Sequence, residues 1–188
     1  MTIFGIEGGI GSGKTMTLVK YGLDDLYKGK KLFSNVKLNV DKKYNKMITY
    51  LDKDKIKDIF EHIKSGKFDM RNATVLLQEA HNYMDSRTSL TVKNRTLTYW
   101  ILQSRHTGAG SCDIIYDTQE LGQIDKRLRN NTDFVCRPMI VEKFEDGTPV
   151  TIGVVLRGKL GQKFCKFYEE YDASKILNKY DTHEIVDF

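Results

Sequence analysis

The sequence predicts an α/β fold, with a mostly parallel central sheet flanked by helices and antiparallel strands added near the C-terminus. Three observations predict it. A short apolar run over residues 2–6 passes straight into glycines and then into a helical period. Strand-like and helix-like patterns alternate as far as residue 130, the order that builds a parallel sheet through helical crossovers. Beyond residue 130 strand-like segments follow one another, as antiparallel neighbours do.

The elements follow in order. After the first strand, Met16, Val19, Leu23 and Leu26 fall at helical spacing and Gly29 ends the run. Lys31 to Val40 reads as a second extended segment with an irregular start, through Leu32, Phe33, Val36, Leu38 and Val40. Ile56, Ile59, Phe60 and Ile63 mark one face of a short helix, closed by Ser65-Gly66-Lys67. Thr74-Val75-Leu76-Leu77 has the continuous β-forming composition of a central strand. Polar residues from Asp85 to Arg95 suggest an exposed loop. A helix carrying Leu97, Trp100 and Ile101 fades at Gly108-Ala109-Gly110. Residues 113–117 form another strand, followed by a helix with Leu121, Ile124 and Leu128 on one side. Strands are expected at 134–141, 150–156 and 163–168, with a hairpin turn near Asp146-Gly147. A terminal helix near 172–180 carries Ile176, Leu177 and Tyr180. No repeat or linker divides the chain, so residues 1–188 read as a single domain.

Composition narrows the function classes. The 188 residues suffice for a core without disulfides. Cys112, Cys136 and Cys165 are widely spaced and odd in number, which fits neither a disulfide framework nor a zinc knuckle. No apolar run approaches the roughly 20 residues of a membrane-spanning helix, and the amino terminus lacks the pattern of a secretory signal. The net charge of +5 is compatible with a nucleic-acid partner, though interspersed surface lysines give the same number.

The sharpest signal is Gly8-Gly9-Ile10-Gly11-Ser12-Gly13-Lys14-Thr15, placed between a strand and a helix. Glycines let backbone N–H groups turn toward phosphate oxygens, and the next helix presents its positive end. Lys14 can reach the β and γ phosphates, and the Thr15 hydroxyl can ligate magnesium. The expected ligand is therefore ATP with Mg2+, held by Gly8, Gly9, Ile10, Gly11, Ser12, Gly13, Lys14, Thr15 and Met16. A second element, Gln78-Glu79-Ala80-His81, ends a hydrophobic strand, where parallel α/β sheets place ligand-handling residues. Glu79 is the candidate general base or water-polarising group. Gln78 stands where P-loop ATPases usually carry an aspartate that holds the magnesium shell through water. Gln can accept a hydrogen bond from that water but brings no charge, so magnesium affinity is expected to drop unless another acid such as Asp117 compensates. His81 and Asp85, four residues apart, do not make a metal signature. The third element is Tyr116-Asp117-Thr118-Gln119, from which Gln119 is placed to sense the γ-phosphate or the attacking water.

These three elements, together with Asp85-Ser86-Arg87, resemble the FtsK/HerA superfamily of DNA-pumping ATPases, and within it the Zot-like and viral genome-packaging branch. The resemblance extends over residues 124–133 and 180–186. It implies a RecA-like P-loop NTPase sheet, ATP hydrolysis at subunit boundaries and a homo-hexameric ring around DNA. It matches Lys14 and Thr15 to the phosphate and magnesium residues, Gln78 to the outer metal shell, Glu79 to the catalytic glutamate and Gln119 to the polar sensor. Arg127 and Arg129 resemble the basic segment after the sensor strand, from which one arginine stabilises phosphate charge within the subunit or across a boundary; Arg87 and Arg105 are alternatives. The function implied first is packaging of a double-stranded viral genome, with a capsid or portal protein as partner, in the host cytoplasm or on the virion. The second is a Zot-like ATPase for filamentous virus assembly and extrusion, for which a single strand is an alternative to duplex DNA. Gln78 itself points to a third, a nucleotide-dependent structural or regulatory switch with weak hydrolysis.

Overall fold

The computed structural model describes residues 2–58, 61–62, 65, 69–88, 112–160 and 163–181. Eight strands form one sheet: β1 (Ile3–Glu7), β2 (Lys31–Ser34), β3 (Ile48–Tyr50), β4 (Ala73–Leu77), β5 (Asp113–Thr118), β6 (Phe134–Lys143), β7 (Pro149–Leu160) and β8 (Lys163–Asp172). Their spatial order is β3-β2-β4-β5-β1-β6-β7-β8. The first six are mutually parallel, and β7 and β8 extend the sheet antiparallel through β6. This is the α/β class and the C-terminal addition that the sequence predicts.

Strand alternation divides the core into two layers. On one face Ile3, Val75, Leu77, Ile114 and Tyr116 pack with Leu51, Ile56, Met70, Met84, Ile124 and Leu128. On the other, Ile6, Leu76, Ile115 and Cys136 meet Met16, Leu18, Val19, Leu23 and Leu26. These last five belong to α1 (Lys14–Tyr27), whose apolar face is the one read from spacing. All five residues of β4 are buried, as expected of a strand covered on both sides. Gly22 lets α1 approach closely, since a Cβ there would collide with the Leu76 side chain.

Several elements depart from the sequence expectation. The extended segment over 31–40 ends early, because the Ser34 hydroxyl bonds both the amide and the carbonyl of Val36 and turns the chain. The sequence does not foretell β3, which joins the far edge. Of the helix near Ile56, α2 (Lys53–Lys57) is described, capped by Asp52, whose side chain accepts from the Lys55 amide; Ile59, Phe60 and Ile63 lie outside the described residues, as does the helix of Leu97, Trp100 and Ile101. The single helix expected after β5 is two pieces, a 3-10 turn over Leu121–Gln123 and α3 (Lys126–Asn130). Asp125 breaks it. Its amide donates to the Met84 carbonyl and its carboxylate caps α3 at the Arg127 amide. Leu121, Ile124 and Leu128 still face one core, so the pattern was right and the backbone was not. The terminal helix shrinks to α4 (Ser174–Leu177), because Tyr180 pairs with Leu38 and the Lys179 carbonyl accepts from the Asn39 amide. The hairpin turn falls at Asp146-Gly147, with Gly147 at φ 86.

Candidate functional site

The loop between β1 and α1 carries the first half of the site. Gly13, at φ 91, occupies the N-cap position of α1 without any side-chain cap. The helix therefore opens with free amides pointing toward the loop, which is how an anion is received. Only glycine suits Gly13, both for its left-handed backbone and because a Cβ would stand 2.8 Å from Ile152. Lys14 is buried, and its ammonium donates to the Gly9 carbonyl at 2.9 Å. The Ser12 hydroxyl is buried without a hydrogen-bond partner among the described residues. Ile10, at the loop tip, is 91% exposed. An open cavity of about 400 Å3 lies against Gly11, Gly13, Lys14, Thr15 and Met16, and the β6–β7 hairpin closes it with Ile140, Lys143, Gly147 and Pro149. Tyr180 completes the lining.

The second half comes from the tips of β4 and β5. Because β5 lies between β4 and β1, its tip separates residue 78 from the loop. Gln78 still reaches across, with Nε2 3.5 Å from the Thr15 hydroxyl. Asn35 fixes its backbone on both sides: the Gln78 amide donates to Asn35 Oδ1 at 2.7 Å, and Asn35 Nδ2 donates to the Gln78 carbonyl at 2.9 Å. Glu79 adopts a left-handed backbone, φ 52 and ψ 48. That conformation costs a non-glycine residue about 1–2 kcal/mol and turns the chain sharply off the strand. The Glu79 carboxylate sits 3.3 Å from His81 Nε2, and His81 Nδ1 lies 3.5 Å from the Thr118 hydroxyl.

Asp117 is the most constrained group here. It is fully buried, and Oδ1 accepts from the Glu79 amide at 2.5 Å. Burial pushes its carboxyl up to about 7, against the Glu79 amide; the Glu79 carboxylate adds to the rise, while Lys14 and the Thr15 hydroxyl oppose it. Oδ2 has no hydrogen-bond partner among the described residues. Burial also raises the Tyr180 phenol to about 12, with the Asp117 charge adding to it. The free amides of α1, the unpartnered Ser12 hydroxyl, Lys14, Thr15 and this half-satisfied carboxylate fit a magnesium–nucleoside triphosphate, which would satisfy each of them.

Other predicted residues fall further out. Gln119 is exposed just past β5. The turn after it is anchored by Glu7, whose Oε1 accepts from the Leu121 amide at 3.0 Å and whose Oε2 pairs with Arg137 at 2.6 Å. Arg127 and Arg129 are exposed on α3 and are not among the described residues lining the cavity. Arg87 is exposed and pairs with Asp85 at 2.8 Å. Arg105 and residues 182–186 lie outside the described residues. Sequence reasoning missed Asn35, Glu7, Arg137 and the cavity-lining role of Tyr180. Glu7 had a signal, a charge ending an apolar strand beside the loop; Asn35 had none.

A phosphate loop opening a helix on a parallel sheet, with a glutamate at the tip of a strand one removed from it, defines the P-loop nucleoside triphosphatase class. The family is narrower: residues 1–138 match the model of zonular occludens toxin (Zot), and the chain belongs to that family. The fold overlays on the N-terminal domain of zonular occludens toxin from Neisseria meningitidis with a TM-score of 0.66 at 20% identity, covering 96% of this chain and 98% of that one. It also overlays on the genome-packaging NTPase B204 of Sulfolobus turreted icosahedral virus 2, in complex with ATP-gammaS, with a TM-score of 0.55 at 14% identity, covering 88% and 96%. For the pCW3 conjugation coupling protein TcpA the TM-score is 0.53 at 15% identity, covering 88% of this chain and 59% of that chain. No sequence among the curated proteins matches significantly. At these identities the overlays carry the fold, which relates Zot to packaging and conjugation ATPases. Among the described residues no helix is long and apolar enough to cross a membrane.

Proposed function

We propose that this chain is a Zot-like ATPase that drives assembly and extrusion of a filamentous virus, moving viral DNA at the expense of ATP. The observation that most supports it is the approach of Gln78 and Asp117 to Thr15 and Lys14, two residues that line the open cavity, in a chain of the Zot family. The sequence alone ranks duplex genome packaging first. The family match and the higher TM-score to the Neisseria domain favour the reverse order, since the packaging NTPase resembles this chain in fold only.

On this reading residues 1–188 act as one ATPase domain in the host cytoplasm, in transient contact with a viral structural protein. The amides from Gly8 to Met16 hold the phosphates, and Lys14 leaves the Gly9 carbonyl for the β and γ oxygens. The Thr15 hydroxyl would ligate magnesium, with Gln78 accepting from its water shell; the ion would supply positive charge against the charge developing on the phosphates. Glu79 orients and deprotonates the attacking water once its carboxylate turns from His81. Gln119 reads the γ-phosphate, and Glu7 ties that reading back to the strand feeding the loop. Arg127 and Arg129, both exposed on α3, serve a neighbouring subunit in a hexameric ring, Arg129 exchanging its bond to the Leu121 carbonyl for phosphate.

ATP turnover measured without DNA, with single-stranded DNA and with duplex DNA tests this function. Stimulation by single strands is expected. Stimulation by duplex alone returns packaging to first place, and indifference to both leaves a nucleotide switch. Adding Lys14→Ala subunits should depress turnover by more than their mole fraction; a linear decline removes the ring.

A further inference from the structure

We propose that Asp117, at the tip of β5, supplies the negative charge to the outer magnesium shell that Gln78 lacks. The inference rests on the nucleotide reading above and concerns how that site is charged. An anion is needed beside the Thr15 hydroxyl, and the strand position usual for it holds the neutral Gln78, with Nε2 3.5 Å from that hydroxyl. The parallel register sets Leu77 beside Tyr116 and Ile6 beside Asp117. Asp117 therefore follows directly in the strand between residue 78 and the loop. This places a carboxylate one strand nearer the phosphate loop than residue 78.

Its surroundings make it a receiver of a cation. One oxygen is taken by the Glu79 amide; the other is buried and makes no well-formed hydrogen bond among the described residues, with the Thr15 hydroxyl standing beside the carboxylate. A buried carboxylate with an unfilled oxygen is costly unless a positive group or a donor water meets it. Lys14 lies near enough to bear on it, yet its ammonium is held by the Gly9 carbonyl and is assigned to phosphate. A hydrated divalent cation on Thr15 meets the requirement, with a metal-bound water donating to Oδ2. The competing account makes Asp117 a clamp for the Glu79 backbone and nothing more. Asparagine would serve that purpose equally, because its Oδ1 accepts the same hydrogen bond.

The test is magnesium-dependent binding of ATP-gammaS, measured by titration calorimetry on the parent, Asp117→Asn and the double variant Gln78→Asp/Asp117→Asn. The parent should show an affinity gain as magnesium rises. In Asp117→Asn the magnesium concentration for half of that gain should increase about tenfold or more, the size of outer-shell losses. The double variant, which returns a carboxylate to residue 78, should recover at least part of the shift. A midpoint unchanged in Asp117→Asn, or shifted without any recovery in the double variant, overturns the proposal while leaving the nucleotide reading intact. A parent that binds no nucleotide in magnesium overturns both. Should Asp117→Asn lose its fold, Asp117→Ser, which removes the charge and keeps a small polar group, is read by the same two criteria.

Discussion

The phosphate loop and the strand tips beside it reach the surroundings of Thr15 by opposite routes. Between Gly8 and Thr15 the groups that would meet phosphate are backbone amides, one lysine and one hydroxyl, all within eight consecutive residues. Across from them, Asn35, Gln78 and Asp117 arrive from the ends of three strands and are held by bonds to one another's neighbours. The loop owes its shape to local rules, glycine dihedrals and a helix start, whereas the tips owe theirs to strand order. The difference predicts how each half fails. Damage to the loop removes binding outright, because no other segment can replace a contiguous nest of amides. Damage at a strand tip changes metal use or turnover, because each tip contributes one group to a shared charge pattern.

The largest effect belongs to the loop. Lys14→Ala leaves the cradle without its ammonium, and affinity for ATP-gammaS in magnesium should fall by about a hundredfold or more, the loss of a charge-assisted contact in a buried position. Fluorescence titration checks it, and affinity within threefold of the parent would place the nucleotide elsewhere. Next is Glu79→Gln. Affinity should stay near the parent while turnover falls by about 10²–10⁴, since the amide keeps the shape and cannot take a proton. Turnover equal to the parent would remove Glu79 from the mechanism.

How legible each half was in the sequence follows from the same contrast. The loop was read entire, because its chemistry depends on adjacency. Glu79 and Gln119 are candidates from sequence because each follows an apolar run that marks a buried strand. The arrangement of the tips was not legible, because no pattern in a single segment records that β5 lies between β4 and β1. Asp117 was noticed only as a possible compensating acid; its burial and its bond to the Glu79 amide exist only in the fold. The same limit explains α3 and α4. Leu121, Ile124 and Leu128 have helical spacing and do share a core, yet Asp125 finds better partners in Met84 and Arg127 than a continuous helix would give it. Tyr180 has the right spacing for a terminal helix and is drawn instead to Leu38, a contact far away in sequence.

Gln78→Asp sharpens the comparison at moderate size. With the proposed charge of Asp117 beside the metal, a second carboxylate at residue 78 adds little for the metal and repels the first. The magnesium midpoint for ATP-gammaS should shift by less than about threefold, and the ligand-free protein should lose about 1–2 kcal/mol of stability in urea titration. A tenfold tightening of magnesium use with no loss of stability would mean that Asp117 is neutral in the working site.

The smallest effect on chemistry should come from Asn35, and it tests whether the tips are positioned as a unit. Asn35 is not among the described residues lining the cavity; it grips the backbone of Gln78 from both sides. Asn35→Ala removes a donor and an acceptor together and leaves the Gln78 amide and carbonyl half-buried without partners. The Tyr83 phenol loses its bond to Asn35 as well. The expected loss is about 1–3 kcal/mol of stability, and a few-fold fall in turnover because Glu79 is carried by the same turn. Nucleotide affinity should stay within about twofold, since the loop is untouched. Asn35→Asp is the finer probe. It keeps the acceptor for the Gln78 amide and loses the donor to the carbonyl, so it should recover part of the lost turnover and only part of the stability. If Asn35→Ala lowers nucleotide affinity as strongly as it lowers turnover, the two halves of the site are mechanically one. If it changes stability alone, Glu79 is held by Asp117 and its own left-handed turn without help from β2. Both constants should therefore be measured on the same preparation, beside a urea titration.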